Sequence, residues 1–169
     1  MNIVLFGFMG VGKTTIGRLL SEEIGYKFID VDEEITSTTG RQIKTIFELE
    51  GEAAFREIEK SVIKDISGGD QLVIACGGGA VLDSENVDNL KRNSKLVLLT
   101  ADIDEIMKRT NNDDSRPLLN ALDRREKAES ILRHRMPLYL ELADESVDTT
   151  GKTPRRVVKE IIKKWGNER

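Results

Sequence analysis

The feature that most constrains this chain is a glycine-rich segment close to its start, GFMGVGKT at residues 7–14. The segment matches G-x-x-x-x-G-K-[ST] at every fixed position, and it lies between an apolar, strand-like run and a segment with helical period. Its glycines let the backbone curl so that successive N–H groups point at phosphate oxygens, while the following helix adds the positive end of its dipole.

This motif predicts a nucleotide phosphate site. We expect Lys13 to reach the β- and γ-phosphates and the hydroxyl of Thr14 to bind Mg²⁺. The alternative is a glycine-rich turn with no ligand, but such a turn does not require a strand before it and a helix after it. The motif does not identify the phosphoryl acceptor, because many ATPases, GTPases and kinases share it.

Composition indicates a soluble globular protein. The 169 residues (19.0 kDa) are 38% hydrophobic and 33% charged, which suits one domain over residues 1–169. The net charge of −4 gives no reason to expect a nucleic-acid partner. Cys76 is the only cysteine, so we expect no disulfide framework and a cytoplasmic location. The chain shows no signal-peptide pattern, and no apolar run approaches the ~20 residues of a membrane span.

Short apolar runs alternate with longer segments of helical period, which predicts an α/β fold with helices on both faces of a parallel sheet. The predicted strands are residues 2–6, 27–30, 71–75, 95–100 and 145–148. The predicted helices are residues 13–24, 51–67, 85–92, 102–109, 123–143 and 153–165, with a kink or interruption expected at Pro137. The polar stretch 110–120 is predicted to be a mobile surface loop.

Several further groups of residues mark a possible acceptor site. Asp30 and Asp32 follow the second strand, and both carboxylates should project from the carboxyl edge of the sheet, although one could merely cap the next helix. Arg56 and Glu59 are close enough to pair, although a solvated pair of this kind adds only about 0.2–0.5 kcal/mol. Three consecutive glycines, residues 77–79, follow the third strand and exceed what an ordinary turn requires.

Taken in order, these motifs resemble those of the shikimate kinases. The family pattern has a phosphate-binding loop, Asp-x-Asp, Phe-Arg-x-x-Glu, a triple glycine, Arg-Pro-Leu-Leu in a lid and Arg-x-x-Leu-Tyr near the C-terminus. The matching parts of this chain are residues 7–14, Asp30 and Asp32, Phe55-Arg56 with Glu59, residues 77–79, residues 116–119, and Arg135 with Tyr139. The match covers essentially the whole chain. One departure is Cys76, where the family usually has threonine or serine.

The resemblance implies a three-layer α/β/α P-loop kinase fold with a five-stranded parallel sheet in the order 2-3-1-4-5. It implies an acceptor-binding segment at about residues 31–60 and a mobile lid at about residues 110–121. The implied activity moves the γ-phosphoryl group of MgATP to the 3-hydroxyl of shikimate, giving shikimate 3-phosphate and ADP for aromatic amino acid biosynthesis. The implied enzyme is a cytoplasmic monomer without nucleic-acid or membrane partners.

The resemblance also assigns residues to the acceptor end of the site. Arg56 and Arg135 would hold the substrate carboxylate, and Glu59 would orient Arg56. Asp32 would bind the ring hydroxyls and accept the hydroxyl proton. Gly78 and Gly79 would line the same pocket through their backbone. The ring itself is expected to need little apolar contact.

At the nucleotide end, the implied binding residues are Gly10, Val11, Gly12, Lys13, Thr14, Thr15, Arg109, Arg116 and Pro154. Arg109 and Pro154 would lie on the two faces of adenine, although Arg109 read from its residue type alone is a solvated helix end. Thr14 and Asp30 would hold Mg²⁺. The implied catalytic residues are Lys13, Asp32 and Arg116, the last closing with the lid.

Two other interpretations remain. Another small-molecule kinase of this architecture, such as a gluconate kinase or a nucleoside monophosphate kinase, explains the loop, the acidic pair and the lid. It does not explain the triple glycine together with Arg56 and Arg135. A non-catalytic relative that binds nucleotide or shikimate would have no need of Lys13, Asp32 and Arg116 together.

Overall fold

A computed structural model of the protein describes residues 1–110 and 123–166. Five parallel strands form one sheet in the order β2-β3-β1-β4-β5, which confirms the expected order. The strands are β1 Asn2–Gly7, β2 Lys27–Asp30, β3 Leu72–Ala75, β4 Ser94–Thr100 and β5 Glu145–Asp148. The helices are α1 Lys13–Ile24, α2 Val31–Thr39, α3 Ile43–Ser67, α4 Ser84–Lys91, α5 Ile103–Thr110, α6 Arg124–Leu142 and α7 Pro154–Gly166. A 3-10 turn, Ala80–Leu82, precedes α4.

The central strand β1 is buried along its whole length. Because side chains alternate along a strand, Val4 and Phe6 belong to one apolar cluster, whereas Ile3 and Leu5 belong to a second cluster on the opposite face. Helices cover both faces, so the predicted three-layer α/β/α architecture is confirmed. None of the helices in the described ranges is both long and apolar enough to cross a membrane.

Two helical segments are additional to the predicted helices, although the capping alternative for the acidic pair had already implied a helix after Val31. Helix α2 is rich in threonine and serine, residues of modest helix propensity, and it is stabilised by the fully buried side chains of Val31 and Ile35. Helix α3 begins at Ile43 rather than at residue 51. Gly51 lies inside it with φ 84° and ψ 174°, so two helical pieces meet at this glycine. Both segments are therefore helical because of how they pack and not because of local helix propensity.

Two predictions concern segments later in the chain. Helix α6 continues past Pro137 to Leu142, and its buried side chains, Ala128 and Tyr139, lie on both sides of that proline. The interruption expected at Pro137 is therefore not observed. The predicted mobile loop at residues 110–120 lies outside the described residues except for Thr110, which ends α5.

Candidate active site

The phosphate-binding loop connects β1 to α1, and its three glycines have positive φ angles of 140°, 77° and 96° at Gly7, Gly10 and Gly12. The space beside the loop is also restricted. A Cβ atom on Gly7 would collide with the carbonyl oxygen of Leu99, and one on Gly10 would lie 2.8 Å from Cγ2 of Thr110. Glycine is therefore required here both by backbone conformation and by close packing.

Lys13 and Thr14 begin the first turn of α1, directly after the loop. The ammonium group of Lys13 donates to the carbonyl oxygens of Gly7 and Phe8, each at 3.0 Å. The hydroxyl of Thr14 donates to Oδ2 of Asp30 at 2.7 Å. The loop therefore carries a cation at its concave side and an oxygen pair at the start of its helix.

The acidic pair lies where β2 ends, although the two carboxylates do not both extend from the strand as expected. Asp30 caps α2, because its Oδ1 accepts a hydrogen bond from the backbone N–H of Asp32 at 3.0 Å. Asp32 lies in the first turn of α2. The capping alternative is thus correct for Asp30, yet its second oxygen still faces Thr14, and both aspartates line the same cleft.

Arg56 and Glu59 form an ion pair on α3 in which Nη1 of the arginine lies 2.7 Å from Oε2 of the glutamate. The side chain of Glu59 is only 1% exposed, so the pair does not lie on a solvated face. A second glutamate, Glu52, contacts Nη2 of Arg56 at 3.2 Å. The guanidinium is therefore held from two sides while its side chain remains 30% exposed at the cleft.

The charges of this pair influence each other strongly. Burial raises the pKa of Glu59, although the attraction of Arg56 acts in the opposite direction. Burial by itself would lower the pKa of Arg56, but the attraction and hydrogen bond of Glu59 outweigh it and the pKa is raised. Arg56 therefore stays cationic, and a carboxylate ligand would meet a fixed positive charge.

The triple glycine, residues 77–79, lies against Arg56, Arg135 and Gly7, the first residue of the phosphate-binding loop. A Cβ atom on Gly79 would be 2.5 Å from Nη2 of Arg56. A Cβ atom on Gly78 would be 2.9 Å from the carbonyl oxygen of Gly7 and 3.5 Å from Nη1 of Arg135. The chain therefore needs glycine here to let these groups approach the backbone, which an ordinary turn would not require.

Apolar side chains on α3 also line the cleft. They lie within the expected acceptor-binding segment, about residues 31–60, but none of them was expected to contact the acceptor. Ile43, Phe47 and Phe55 contribute to the wall of the cleft, and the rings of Phe47 and Phe55 have centroids 4.7 Å apart. This wall offers an acceptor more apolar surface than was expected, and the contacts of the ring itself stay a prediction. The i, i+4 spacing of Ile43 and Phe47 was the available signal, but residues 43–50 were not predicted as helix.

Arg109 is fixed in place rather than solvated at a helix end. Its guanidinium donates to the carbonyl oxygen of Gly10 at 3.2 Å and to Oγ1 and the carbonyl oxygen of Thr149, both at 3.0 Å. Its Nε also donates to Glu105 at 2.9 Å. A side cleft of about 290 Å³ is lined by Arg109 and Pro154 together, beside the phosphate-binding loop.

Cys76 precedes the triple glycine and is 1% exposed. Burial, with the nearby carboxylate of Glu59, raises the pKa of its thiol, so the thiol is neutral and unsuited to nucleophilic chemistry. Arg116 and the lid around it lie outside the described residues, so their assigned roles stay predictions.

Together these groups surround one cleft of about 500 Å³ at the carboxyl edge of the sheet. Its lining includes Lys13, Thr14, Asp30, Asp32, Arg56, Glu59, residues 77–79 and Arg135. Residues of the phosphate-binding loop line it together with two arginines and several apolar side chains. A P-loop fold with such a cleft defines a phosphotransferase that acts on a small molecule.

Comparison with known proteins identifies the family. The family model described as shikimate kinase matches residues 9–165. The shikimate kinase of Thermodesulfovibrio yellowstonii is 44% identical over 164 residues, which span 97% of this chain and 94% of the relative. The shikimate kinase of Acinetobacter baumannii, solved in complex with shikimate, superposes with a TM-score of 0.95 at 38% identity, covering 99% of this chain and 94% of that one. The Aquifex aeolicus shikimate kinase gives a TM-score of 0.86 at 36% identity, covering 99% and 98% of the two chains.

This chain belongs to the shikimate kinase family. It is therefore an ATP-dependent phosphotransferase with a small-molecule acceptor. Family membership removes the support for the rival interpretations as a gluconate or nucleoside monophosphate kinase.

Proposed function

We propose that this enzyme transfers the γ-phosphoryl group of MgATP to the 3-hydroxyl of shikimate, giving shikimate 3-phosphate and ADP for aromatic amino acid biosynthesis. The observation that carries the proposal is the pair of arginines, Arg56 and Arg135, which line the same cleft as Lys13 and Thr14 of the phosphate-binding loop. Shikimate carries one carboxylate and three hydroxyls, so its site needs cationic groups at one end and hydrogen-bond acceptors at the other.

At the acceptor end, Arg56 and Arg135 bind the carboxylate, since guanidinium groups pair with carboxylates in a fixed, forked geometry. Glu59 holds Arg56 in orientation from its buried position. The backbone of Gly78 and Gly79 closes one side of the pocket.

The acceptor ring lies against the apolar wall that Phe47 contributes to the cleft. Asp32 accepts hydrogen bonds from the ring hydroxyls. Its Oδ1 lies 3.8 Å from the position that a Cβ atom on Gly77 would occupy, and Oε1 of Glu59 lies at the same distance from that position. The Asp32 carboxylate is therefore close to Gly77 and to the partner of Arg56, which supports a role for Asp32 in binding the acceptor.

At the nucleotide end, Lys13 exchanges its hydrogen bonds with loop carbonyls for the β- and γ-phosphate oxygens. The loop amides of Gly10, Val11 and Gly12 and the groups of Thr14 and Thr15 bind the same phosphates. Adenine occupies the side cleft between Arg109 and Pro154. The hydrogen bonds from Arg109 to Gly10 and Thr149 pre-orient the guanidinium plane for stacking.

The residues at the loop fit a magnesium ion. The hydroxyl oxygen of Thr14 and Oδ2 of Asp30 are 2.7 Å apart at the edge of the cleft. Mg²⁺ prefers oxygen ligands and is held by one or two protein groups together with waters and substrate phosphates. Thr14 would bind the ion directly, and Asp30 would hold one of its waters. When bound, the ion would neutralise charge on the β- and γ-phosphates.

Phosphoryl transfer depends mainly on positioning and on stabilising charge. Lys13 stabilises the negative charge of the transferring group, and Asp32 accepts the proton of the attacking hydroxyl. Arg116 is proposed to close with the lid and to neutralise charge that develops at the bridge between the β- and γ-phosphates. Closure of the lid would exclude water as a competing acceptor.

The test measures ADP release by the purified enzyme with MgATP and one acceptor at a time. Separate reactions contain shikimate, gluconate, a panel of nucleoside monophosphates, or no acceptor. Turnover with shikimate alone, with the phosphorylated product identified by mass, is expected. Turnover with another acceptor would contradict the carboxylate assignment, and nucleotide binding without turnover would favour a non-catalytic relative.

We also infer that the enzyme acts as a cytoplasmic monomer without nucleic-acid or membrane partners. The net charge is −4, and the single cysteine is buried, as suits a reducing compartment. Light scattering during size exclusion should give a single species near 19.0 kDa with and without ligands. A stable dimer would contradict the inference.

A further inference from the structure

Tyr139 has no part in the roles proposed above, yet it lies between three elements of the site. It is on α6, four residues after Arg135, so the two side chains share one face of that helix. The tyrosine is fully buried. Its ring packs edge-on against Phe6 of β1, with ring centroids 5.7 Å apart and an interplanar angle of 90°. A tyrosine this deeply buried needs a partner for its hydroxyl group.

The hydroxyl group of Tyr139 has two partners, both at the acceptor end. It donates a hydrogen bond to the carbonyl oxygen of Gly78 at 2.6 Å. Nη1 of Arg135 lies beside the same hydroxyl, since a Cβ atom on Gly78 would be 2.8 Å from the hydroxyl and 3.5 Å from that nitrogen. The positive charge of Arg135 acts to lower the pKa of Tyr139, although burial has the larger effect. Because the proton is directed at Gly78, the oxygen lone pairs are left to accept from the guanidinium.

Two observations make this arrangement rigid. A Cβ atom on Gly78 would be 2.8 Å from the tyrosine hydroxyl and 2.9 Å from the carbonyl oxygen of Gly7, so the glycine backbone is enclosed between them. Burial raises the pKa of Tyr139, so the hydroxyl keeps the proton that it donates. The hydroxyl therefore has a fixed position relative to the phosphate-binding loop.

We propose that Tyr139 is a positioning residue that sets the orientation of Arg135, with the carbonyl group of Gly78 as its anchor. Through this contact Arg135 keeps a fixed position relative to the phosphate-binding loop. The proposal rests on the proposed function, because it takes the ligand of Arg135 to be the carboxylate of the acceptor. Without the hydroxyl, the guanidinium of Arg135 gains freedom that the acceptor must remove on binding.

The first test is Tyr139→Phe, which removes the hydroxyl and keeps the ring against Phe6. We expect the KM for shikimate to rise about tenfold, which corresponds to the loss of one well-placed polar contact. The KM for ATP should stay within about twofold of the wild-type value. The matched control is Tyr26→Phe, since Tyr26 is the other tyrosine and packs edge-on against Trp165 away from the cleft. This control should leave both KM values unchanged.

A double-mutant cycle separates positioning from general stability. If Tyr139 acts through Arg135, adding Tyr139→Phe to Arg135→Ala should lower kcat/KM for shikimate by less than about twofold. Losses that multiply in the double variant would overturn the proposal. So would a Tyr139→Phe enzyme that is less stable in denaturant but retains the wild-type KM for shikimate. Failure of the proposed function would show in the wild-type enzyme itself, whereas failure of this inference would show only in the variants.

Discussion

Arg135 and the ion pair of Arg56 with Glu59 line the same cleft. The sequence motifs named these residues, but their types did not decide between a solvated pair and a buried one. The 1% exposure of Glu59 decides it, because a carboxylate buried at the base of the cleft orients its arginine. At the scale of the residue, burial distinguishes this pair, which lines the cleft, from an ordinary solvated pair on a helix.

The first prediction concerns the affinity for the acceptor carboxylate. Arg135→Ala should weaken shikimate binding by about 2–4 kcal/mol, because the carboxylate would lose a desolvated, charged partner. Isothermal titration calorimetry with shikimate measures the change directly. The matched control is Arg133→Ala, an exposed arginine two residues earlier on the same helix. Wild-type affinity in Arg135→Ala would refute the carboxylate assignment.

A second prediction follows from the raised pKa of Glu59. The folded state binds this proton more tightly than the unfolded chain, whose ordinary value is near 4.5. The contribution of Glu59 to stability is therefore complete below that value and is lost as the pH rises through the raised folded-state pKa. The free energy of unfolding of the wild type, minus that of Glu59→Gln, should decrease from acidic toward neutral pH.

Urea unfolding of both proteins over this pH range measures the difference. The matched control is Glu57→Gln, an exposed glutamate on the same helix, which reports the effect of removing a carboxylate from α3 in general. A difference that stays constant or increases with pH would contradict the raised pKa.

At the scale of elements, α3 lines the cleft with residues from two helical pieces. The first piece carries Ile43 and Phe47, the second carries Phe55, Arg56 and Glu59, and Gly51 joins them. The sequence predicted the second piece from its helical spacing. It did not predict the first piece, because the eight residues before Gly51 are too few to show a strong helical periodicity. The apolar wall of the cleft was therefore missed along with that helix.

The third prediction tests whether Gly51 orients the two helical pieces of α3 relative to each other. Gly51→Ala should destabilise the protein by about 1–3 kcal/mol, because φ 84° with ψ 174° is a conformation that only glycine adopts without strain. It should also raise the KM for shikimate, since relief of the strain would re-orient the piece that carries Phe47. A Cβ atom at Gly51 would meet nothing within 4 Å, so the effect would come from the backbone alone.

The matched control for this substitution is Gly25→Ala. Gly25 ends α1 with φ 73° and ψ 26°, and a Cβ atom there would also meet nothing within 4 Å. This variant should lose about 1–2 kcal/mol of stability and keep the wild-type KM. Equal KM values in the two glycine variants would show that the join at Gly51 does not orient the cleft wall.

At the scale of the whole molecule, the sheet with helices on both faces brings distant segments to one edge. The phosphate-binding loop, the end of β2, the triple glycine and α6 are far apart in the chain but line one cleft. The residue that precedes the triple glycine, Cys76, is buried where this cleft meets the core. The rate at which the Cys76 thiol reacts with a reagent therefore reports how readily the packing around it opens.

The fourth prediction uses this single cysteine as a probe. A thiol reagent should label the native protein only slowly, because labelling needs an exposed thiolate and burial raises the pKa of Cys76. Labelling should reach one equivalent when the protein is unfolded in denaturant. Saturating MgADP should slow native labelling further, since ligand binding stabilises the folded state. Rapid, complete labelling of the native protein would contradict the buried position.

The sequence by itself determined the phosphate-binding loop, the alternation of strands and helices, and the motifs of Asp32, Arg56, Gly78 and Arg135. The loop and the alternation follow from local chemistry, since positive φ angles demand glycine and apolar periodicity indicates which face is buried. The other four residues were assigned through the resemblance to the family. Only the tertiary structure decided the burial of Glu59, the anchoring of Arg109 at Gly10 and Thr149, and the contact between Tyr139 and Gly78. Each of these joins segments that are distant in the chain or depends on what packs around them, and no local pattern encodes such packing.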